Sequence, residues 1–231
     1  MITIVVGSAT GMGAATVRRL HKLEHEIVGV DRAEPEDPDL YSGYFFVDLN
    51  DGNQVQDFVA DVKREGKRIR AIVYCAALHY PAVPFNEYPL EKWDELFNVN
   101  VRSAFIILHG LASRIVDGGR IVTIGSGGVY TGSVEIAYAA SKSSLVGFTK
   151  GLARHLAPRR IQVNCVMPGA VNTKMAAQTP ADRLAALETH GLFGRWGEPD
   201  EIAVAVEWLL NPENTYTTGA MIDVNGGHPI R

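Results

Sequence analysis

The chain has 231 residues, 46% hydrophobic and 21% charged, with a net charge of −4. That is material for one large domain or two small ones with an ample apolar core. No Lys/Arg block is present, which argues against nucleic acid or an anionic membrane as main partner, and no apolar run approaches the roughly 20 residues of a membrane span. Met1 to Gly7 runs straight into a strand-like segment, without a basic region or cleavage site. The expectation is therefore a cytoplasmic protein without a signal peptide. Cys75 and Cys165 belong to no CxxC pair and sit in or beside apolar runs. They are expected to be buried thiols rather than a disulfide or a metal site, and no metal is expected.

In chain order, strands are predicted at 2–6, 26–30, 44–47, 71–75, 120–124, 161–166 and 220–224. Each is a short, β-branched or apolar run. Helices are predicted at 13–23, 54–65, 136–157 and 199–210, with one long helix or two abutting ones over 90–116. Residues 33–42, 78–88 and 125–133 are predicted as loops. The segment 172–194 is polar and mixed, and is expected to form a substrate lid. Strand and helix alternate throughout, and strands apolar on both faces need helices on both sides. The expectation is an α/β, doubly wound, Rossmann-like parallel sheet in a single domain over residues 1–231.

Gly7-Ser8-Ala9-Thr10-Gly11-Met12-Gly13 lies between the first strand and its helix. A glycine-rich turn there lets backbone approach a pyrophosphate and aims helix N-terminal amides at it. The spacing is GxxxGxG rather than GxGxxG. Asp31 ends the second strand, 20 residues after Gly11. It either accepts the adenosine ribose hydroxyls, repelling a 2′-phosphate, or caps a turn. Thr10 is not basic, while Arg32 carries a guanidinium able to meet a phosphate. The expected cofactor is NAD, with NADP less favoured. Asp48 either caps the adenine amine or caps the helix that follows.

Tyr138 and Lys142, in Tyr138-Ala139-Ala140-Ser141-Lys142, leave one helix face a turn apart. A phenol, with a reference pKa of about 10, is a poor base at neutral pH, and a nearby ammonium favours its ionised form. Such a pair is either a proton-transfer device or a half-buried ring beside a solvated amine. Ser126 stands just past the fifth strand, where a doubly wound sheet collects its ligands. Asn100, inside the long helical region, is either part of a site or a solvent-facing Asn.

This set resembles the short-chain dehydrogenase/reductase family, in its compact single-domain branch. The resemblance runs from Ile2 to Gly227. It rests on Gly7-x3-Gly11-x-Gly13, Asp48-Leu49, Asn98-Val99-Asn100, Ser126, Tyr138-x3-Lys142, Pro168-Gly169-x3-Thr173 and Gly226-Gly227. It implies a seven-stranded parallel sheet that binds a dinucleotide, and an oxidoreductase interconverting a secondary alcohol and a ketone. Tyr138 would be the acid/base on the substrate oxygen, and Ser126 would orient that oxygen. Lys142 would hold the nicotinamide ribose and lower the Tyr138 pKa. Asn100 would help hold a water linking Lys142 to solvent. Thr173 and the Val171 backbone would hold the carboxamide. The resemblance also places Met12, Leu49, Cys75, Ala76, Ala77, Pro168 and Gly169 along the cofactor. Val6, Met12 and Cys75-Ala76-Ala77 depart from the usual Thr, Ile and Asn-Ala-Gly, and the Ser126–Tyr138 interval is one residue short.

The substrate is expected to be a small to medium carbonyl or alcohol. Its pocket is expected to be lined by His79-Tyr80, Gly127-Gly128-Val129-Tyr130 and the lid. His79 either binds a polar substrate group or is a surface loop residue, and Lys174 and Arg183 either attract a carboxylate or are solvated. Helix 136–157 carries Leu145, Phe148 and Leu152 beyond its catalytic face. With the family resemblance, this implies a homo-oligomer, a tetramer. The competing reading is a non-catalytic dinucleotide-binding sensor or scaffold, although such proteins usually lose the Tyr or the Lys. Enoyl reduction on this fold expects a wider Tyr–Lys spacing.

Overall fold

The computed structural model describes residues 1–176 and 191–230. Its strands are β1 (Ile2–Val6), β2 (Glu26–Asp31), β3 (Gly43–Phe46), β4 (Ile69–Tyr74), β5 (Ile115–Ile124), β6 (Gln162–Pro168) and β7 (Met221–Val224). They form one seven-stranded parallel sheet in the order β3-β2-β1-β4-β5-β6-β7. Helices α1 (Gly11–Lys22), α2 (Gly52–Arg64), α3 (Leu90–Phe97), α4 (Ser103–Leu111), α5 (Gly128–Thr131), α6 (Ile136–Leu156) and α7 (Pro199–Leu210) complete the described elements.

The two faces of the sheet explain its doubly wound form. Alternate strand residues point to opposite sides. Ile4, Val28, Ile72, Ile121 and Val163 pack with Phe58 of α2, Leu108 of α4 and Leu145 of α6. Val5, Ile27, Val73, Val122 and Val166 pack with Leu20 of α1 and Val206 and Leu209 of α7. Each fully buried Val, Leu or Ile contributes roughly 1.5–3 kcal/mol, so covering both faces is what makes continuous apolar strands stable. Among the described residues, no helix is long and apolar enough to cross a membrane.

Strand order reverses between β1 and β4, which opens a crevice at their C-terminal ends. Two glycines make that crevice. Gly7 has φ +76°, and a Cβ on it would lie 2.5 Å from the Ala76 backbone. A Cβ on Gly13 would lie 1.9 Å from the Gly7 carbonyl oxygen. The turn after β1 is therefore pressed against both the loop after β4 and the start of α1.

Four expectations need correction. The helical region over 90–116 is two abutting helices joined by a π-helical turn at Asn98–Arg102, and after Leu111 it closes in a 3₁₀ turn at Ala112–Arg114. Tyr74 fixes that turn, its hydroxyl bonding the Val99 carbonyl at 2.5 Å and Ser103 Oγ at 2.6 Å. Strand β5 starts at Ile115, five residues before the predicted start, with Gly118 at φ +74° kinking it. The loop expected over 125–133 contains the short helix α5. Helix α1 begins at Gly11 rather than Gly13. Residues 177–190 of the expected lid, including Arg183, lie outside the described residues.

Candidate active site

Two cavities meet at the C-terminal edge of the sheet. The first, of about 330 Å³, runs over the glycine turn. Gly7, Thr10, Gly11, Met12 and Gly13 form its floor, Asp31, Arg32, Asp48 and Leu49 one end, and Cys75, Ala76 and Ala77 a wall. Tyr138, Lys142 and Thr173 close the other end. The second, of about 570 Å³, is lined by Ser126, Tyr138, Pro168, Gly169, Val171 and Thr173 among others. Tyr138, Met12, Gly125, Thr173 and Met175 line both. The phenol thus stands at the junction.

The floor of the first cavity suits an anion. Thr10 N-caps α1 without a side-chain hydrogen bond, and the first turn of α1 holds no acidic residue. Its amides are left for a ligand, as at other helix N-termini that take phosphate. At the far end the Asp31 carboxylate is already engaged, with Oδ2 accepting from the Ala9 amide at 3.1 Å and Oδ1 from the Ala33 amide at 3.1 Å. It braces the glycine turn against the end of β2. Asp48 Oδ1 accepts from the Asn50 amide at 2.9 Å, while the helix that follows is N-capped by Asp51 instead. Ala33, Val47, Leu78 and Val99 also line this cavity and were not singled out by the sequence.

Asn100 is completely buried. Its Oδ1 accepts from the Leu78 amide at 2.6 Å, and its Nδ2 donates to the Leu78 carbonyl and to Ser141 Oγ, each at 3.0 Å. Both amide protons are spent on these partners, which tie the wall after β4 to α6. The π-helical turn is what directs Asn100 inward.

Lys142 is 1% exposed, and its Nζ donates to the Ile124 carbonyl at 2.8 Å. The ammonium lies 5.8 Å from the Tyr138 ring centroid. Burial pulls Lys142 down to about 8, against the opposing influence of Cys165 and Cys75. Burial also pushes the Tyr138 phenol well above its ordinary value, and Glu135 adds to the rise. Desolvation and the Glu135 charge set this direction, with the cation already bonded to the Ile124 carbonyl.

The second cavity corrects the expected lining. Gly127 and Gly128 face it, joined by Thr131 and Gly132 in place of Val129 and Tyr130. His79 lines it, whereas the Tyr80 hydroxyl turns to the Glu95 carboxylate. Glu135 also lines it, a residue the sequence reading missed although it lies three positions before Tyr138. Lys174 lines the first cavity, not this one, and pairs with Glu36 at 3.1 Å. Cys75 and Cys165 are buried and unbridged.

A family model described as enoyl-(acyl carrier protein) reductase matches residues 7–228. The chain belongs to the short-chain dehydrogenase/reductase family. Among curated members, it is 27% identical to the 3-oxoacyl-[acyl-carrier-protein] reductase FabG of Thermotoga maritima, over 98% of this chain and 96% of that one. It is 32% identical to the cyclic-di-GMP-binding biofilm dispersal mediator protein of Escherichia coli K12, over 96% and 94%. A solved structure of a blue fluorescent protein from a metagenomic library, in complex with NADPH, superposes with a TM-score of 0.90 at 32% identity, covering 99% and 98%. The short-chain dehydrogenase/reductase assignment makes this protein an oxidoreductase by family.

The buried cation has a consequence for stability. In the unfolded chain Lys142 titrates at its ordinary 10.5, in the folded one near 8. Between those values the unfolded state binds more protons, so raising pH favours folding. Relative to Lys142→Met, the wild type is expected to gain on the order of 2–3 kcal/mol as pH rises from about 7 to about 10. Denaturant melts across that range measure the gain, and a flat difference would show that Lys142 is not desolvated.

Proposed function

We propose that the protein is a nicotinamide-dependent ketoreductase or secondary-alcohol dehydrogenase acting on a small to medium substrate. The observation that carries this reading is Tyr138 at the junction of the two cavities. A dinucleotide over the glycine turn would bring its nicotinamide to that junction, and a carbonyl held by Ser126 would approach it from the second cavity. The cofactor would supply the hydride. The chain would supply position and one proton, given by Tyr138 to the carbonyl oxygen during reduction. Lys142 and Thr173, at the same end of the first cavity, would hold the ribose and carboxamide.

Asp31 is the support for NAD, and Arg32 the support for NADP. Because Asp31 is explained as a brace of the glycine turn, it is a weaker selector than its position in the sequence suggests. Arg32 lines the cavity beside it, and the metagenomic relative holds NADPH. We read the cleft as accepting both cofactors, with Arg32 supplying the charge for a 2′-phosphate. Three residues between Tyr138 and Lys142 favour a carbonyl over an enoyl substrate, and the FabG relative makes 3-oxoacyl thioesters a class worth including. The reading includes a cytoplasmic homotetramer built through exposed apolar residues such as Phe105 and Ile136 on α4 and α6.

The alternative, a dinucleotide-binding sensor without turnover, draws support from the name of the Escherichia coli relative. Turnover of simple ketones, 3-oxoacyl thioesters or enoyl thioesters with NADH and NADPH separates the readings. Tyr138→Phe is expected to lose about 10³-fold in rate while still binding cofactor. Full activity in that variant would end the acid/base assignment, and cofactor binding with no turnover of any compound would favour the sensor. Arg32→Ala is expected to weaken NADPH by about tenfold or more and NADH hardly at all. Equal effects on both would remove Arg32 from the selection. Sedimentation at micromolar concentration showing only a 25.1 kDa species would remove the tetramer.

A further inference from the structure

The loop after β4 and the start of α6 are joined by a histidine–carboxylate contact that the chemistry above does not use. His79 Nε2 lies 3.0 Å from Glu135 Oε2, and the two side chains are only 9% and 19% exposed. The His79 ring stands edge-on to the Tyr138 ring, with centroids 5.3 Å apart and planes at 83°. Both members of the pair line the second cavity. Glu135 immediately precedes α6 and accepts the Ala139 amide at 3.0 Å through its backbone carbonyl. Glu135 is three positions before Tyr138, near enough for its charge to act on the phenol.

We propose that His79 is a positioning residue for proton transfer at Tyr138: its bond to Glu135 walls the phenol ring into place and offsets the carboxylate charge beside it. A carboxylate near a phenol disfavours the phenolate, and a donor that takes up the carboxylate's charge relieves that effect. Other groups act on the same ring. Lys142 approaches from α6 itself and is backed by the Cys75 and Cys165 thiols, Ser126 faces the cavity from the end of β5, and His228 lines it from the C-terminal segment. Among the described residues, His79 meets Glu135 from a neighbouring element, so its removal should strengthen the effect of the carboxylate on Tyr138.

This inference rests on the reading of Tyr138 as the acid/base. It is tested by the pH profile of kcat/KM for alcohol oxidation, whose rising limb reports formation of the phenolate. His79→Leu, which has no donor, is expected to move that limb up by about one pH unit, a tenfold loss at neutral pH that disappears on the alkaline plateau. His79→Gln keeps a donor and is expected to restore most of the loss. Glu135→Gln is expected to move the limb down. A purely structural role predicts something else: the same factor of loss at every pH and no movement of the limb. That outcome, or a limb unmoved by Glu135→Gln, overturns the proposal. If His79→Leu does not fold, Glu135→Gln and His79→Gln carry the test. Ionisation of Tyr138, followed by NMR of protein labelled with ¹³C at tyrosine Cζ and assigned with Tyr138→Phe, gives the same shifts without turnover. A wild type that oxidises no alcohol but whose Tyr138 titration responds to both variants would refute the enzymatic reading and leave the electrostatic one standing.

Discussion

A single buried cation sets the terms for the rest of the site. Lys142 lies in the interior with its ammonium on the carbonyl of Ile124, the last residue of β5. Burying a charge of this kind is costly unless it is hydrogen-bonded, and one carbonyl is a thin return. The structure tolerates it at the edge of the sheet, where a parallel arrangement leaves strand ends open to ligands. A ribose hydroxyl supplied by a dinucleotide is the sort of partner such a group lacks. The depressed Lys142 and the elevated Tyr138 share their largest cause, desolvation, acting on a cation and on a neutral acid, with Glu135 adding to the second.

The same economy explains the glycine turn. Close contact between Gly7 and Ala76 lets the first and fourth loops share one wall, and the absence of a side chain at Gly13 lets α1 start directly over the Gly7 carbonyl. Asn100 then locks that wall to α6 through Leu78 and Ser141. Three connections distant in the chain thereby hold the cofactor cleft and the phenol in one frame. Backbone amides and the brace at Asp31 shape the floor of the cleft.

Much of this was legible in the residues. Short β-branched runs such as Ile2–Val6 and Ile121–Ile124 announced strands covered on both faces, and the glycines at 7, 11 and 13 announced the turn between strand and helix. Tyr138 and Lys142 showed their shared face through helical spacing alone. The π-helical turn at Asn98–Arg102 was hidden, because nothing in Asn-Val-Asn-Val-Arg breaks a helix; Tyr74, far away in the chain, holds it. The early start of β5 was masked by Ile115-Val116 continuing a helical pattern ahead of the two glycines. The desolvation acting on Tyr138 and Lys142 was hidden for a related reason: their proximity is visible in sequence, but their surroundings are not. Glu135 escaped notice because its partner, His79, lies 56 residues earlier.

The most direct measurement is a crystal structure of the protein with NADPH and a ketone that cannot be reduced. The account predicts the nicotinamide at the junction shared by the two cavities, its ribose on Lys142, and the carbonyl oxygen within hydrogen-bonding distance of both the Tyr138 hydroxyl and Ser126 Oγ. A dinucleotide lying elsewhere, or a nicotinamide bound with Tyr138 directed away from the ketone, would contradict it.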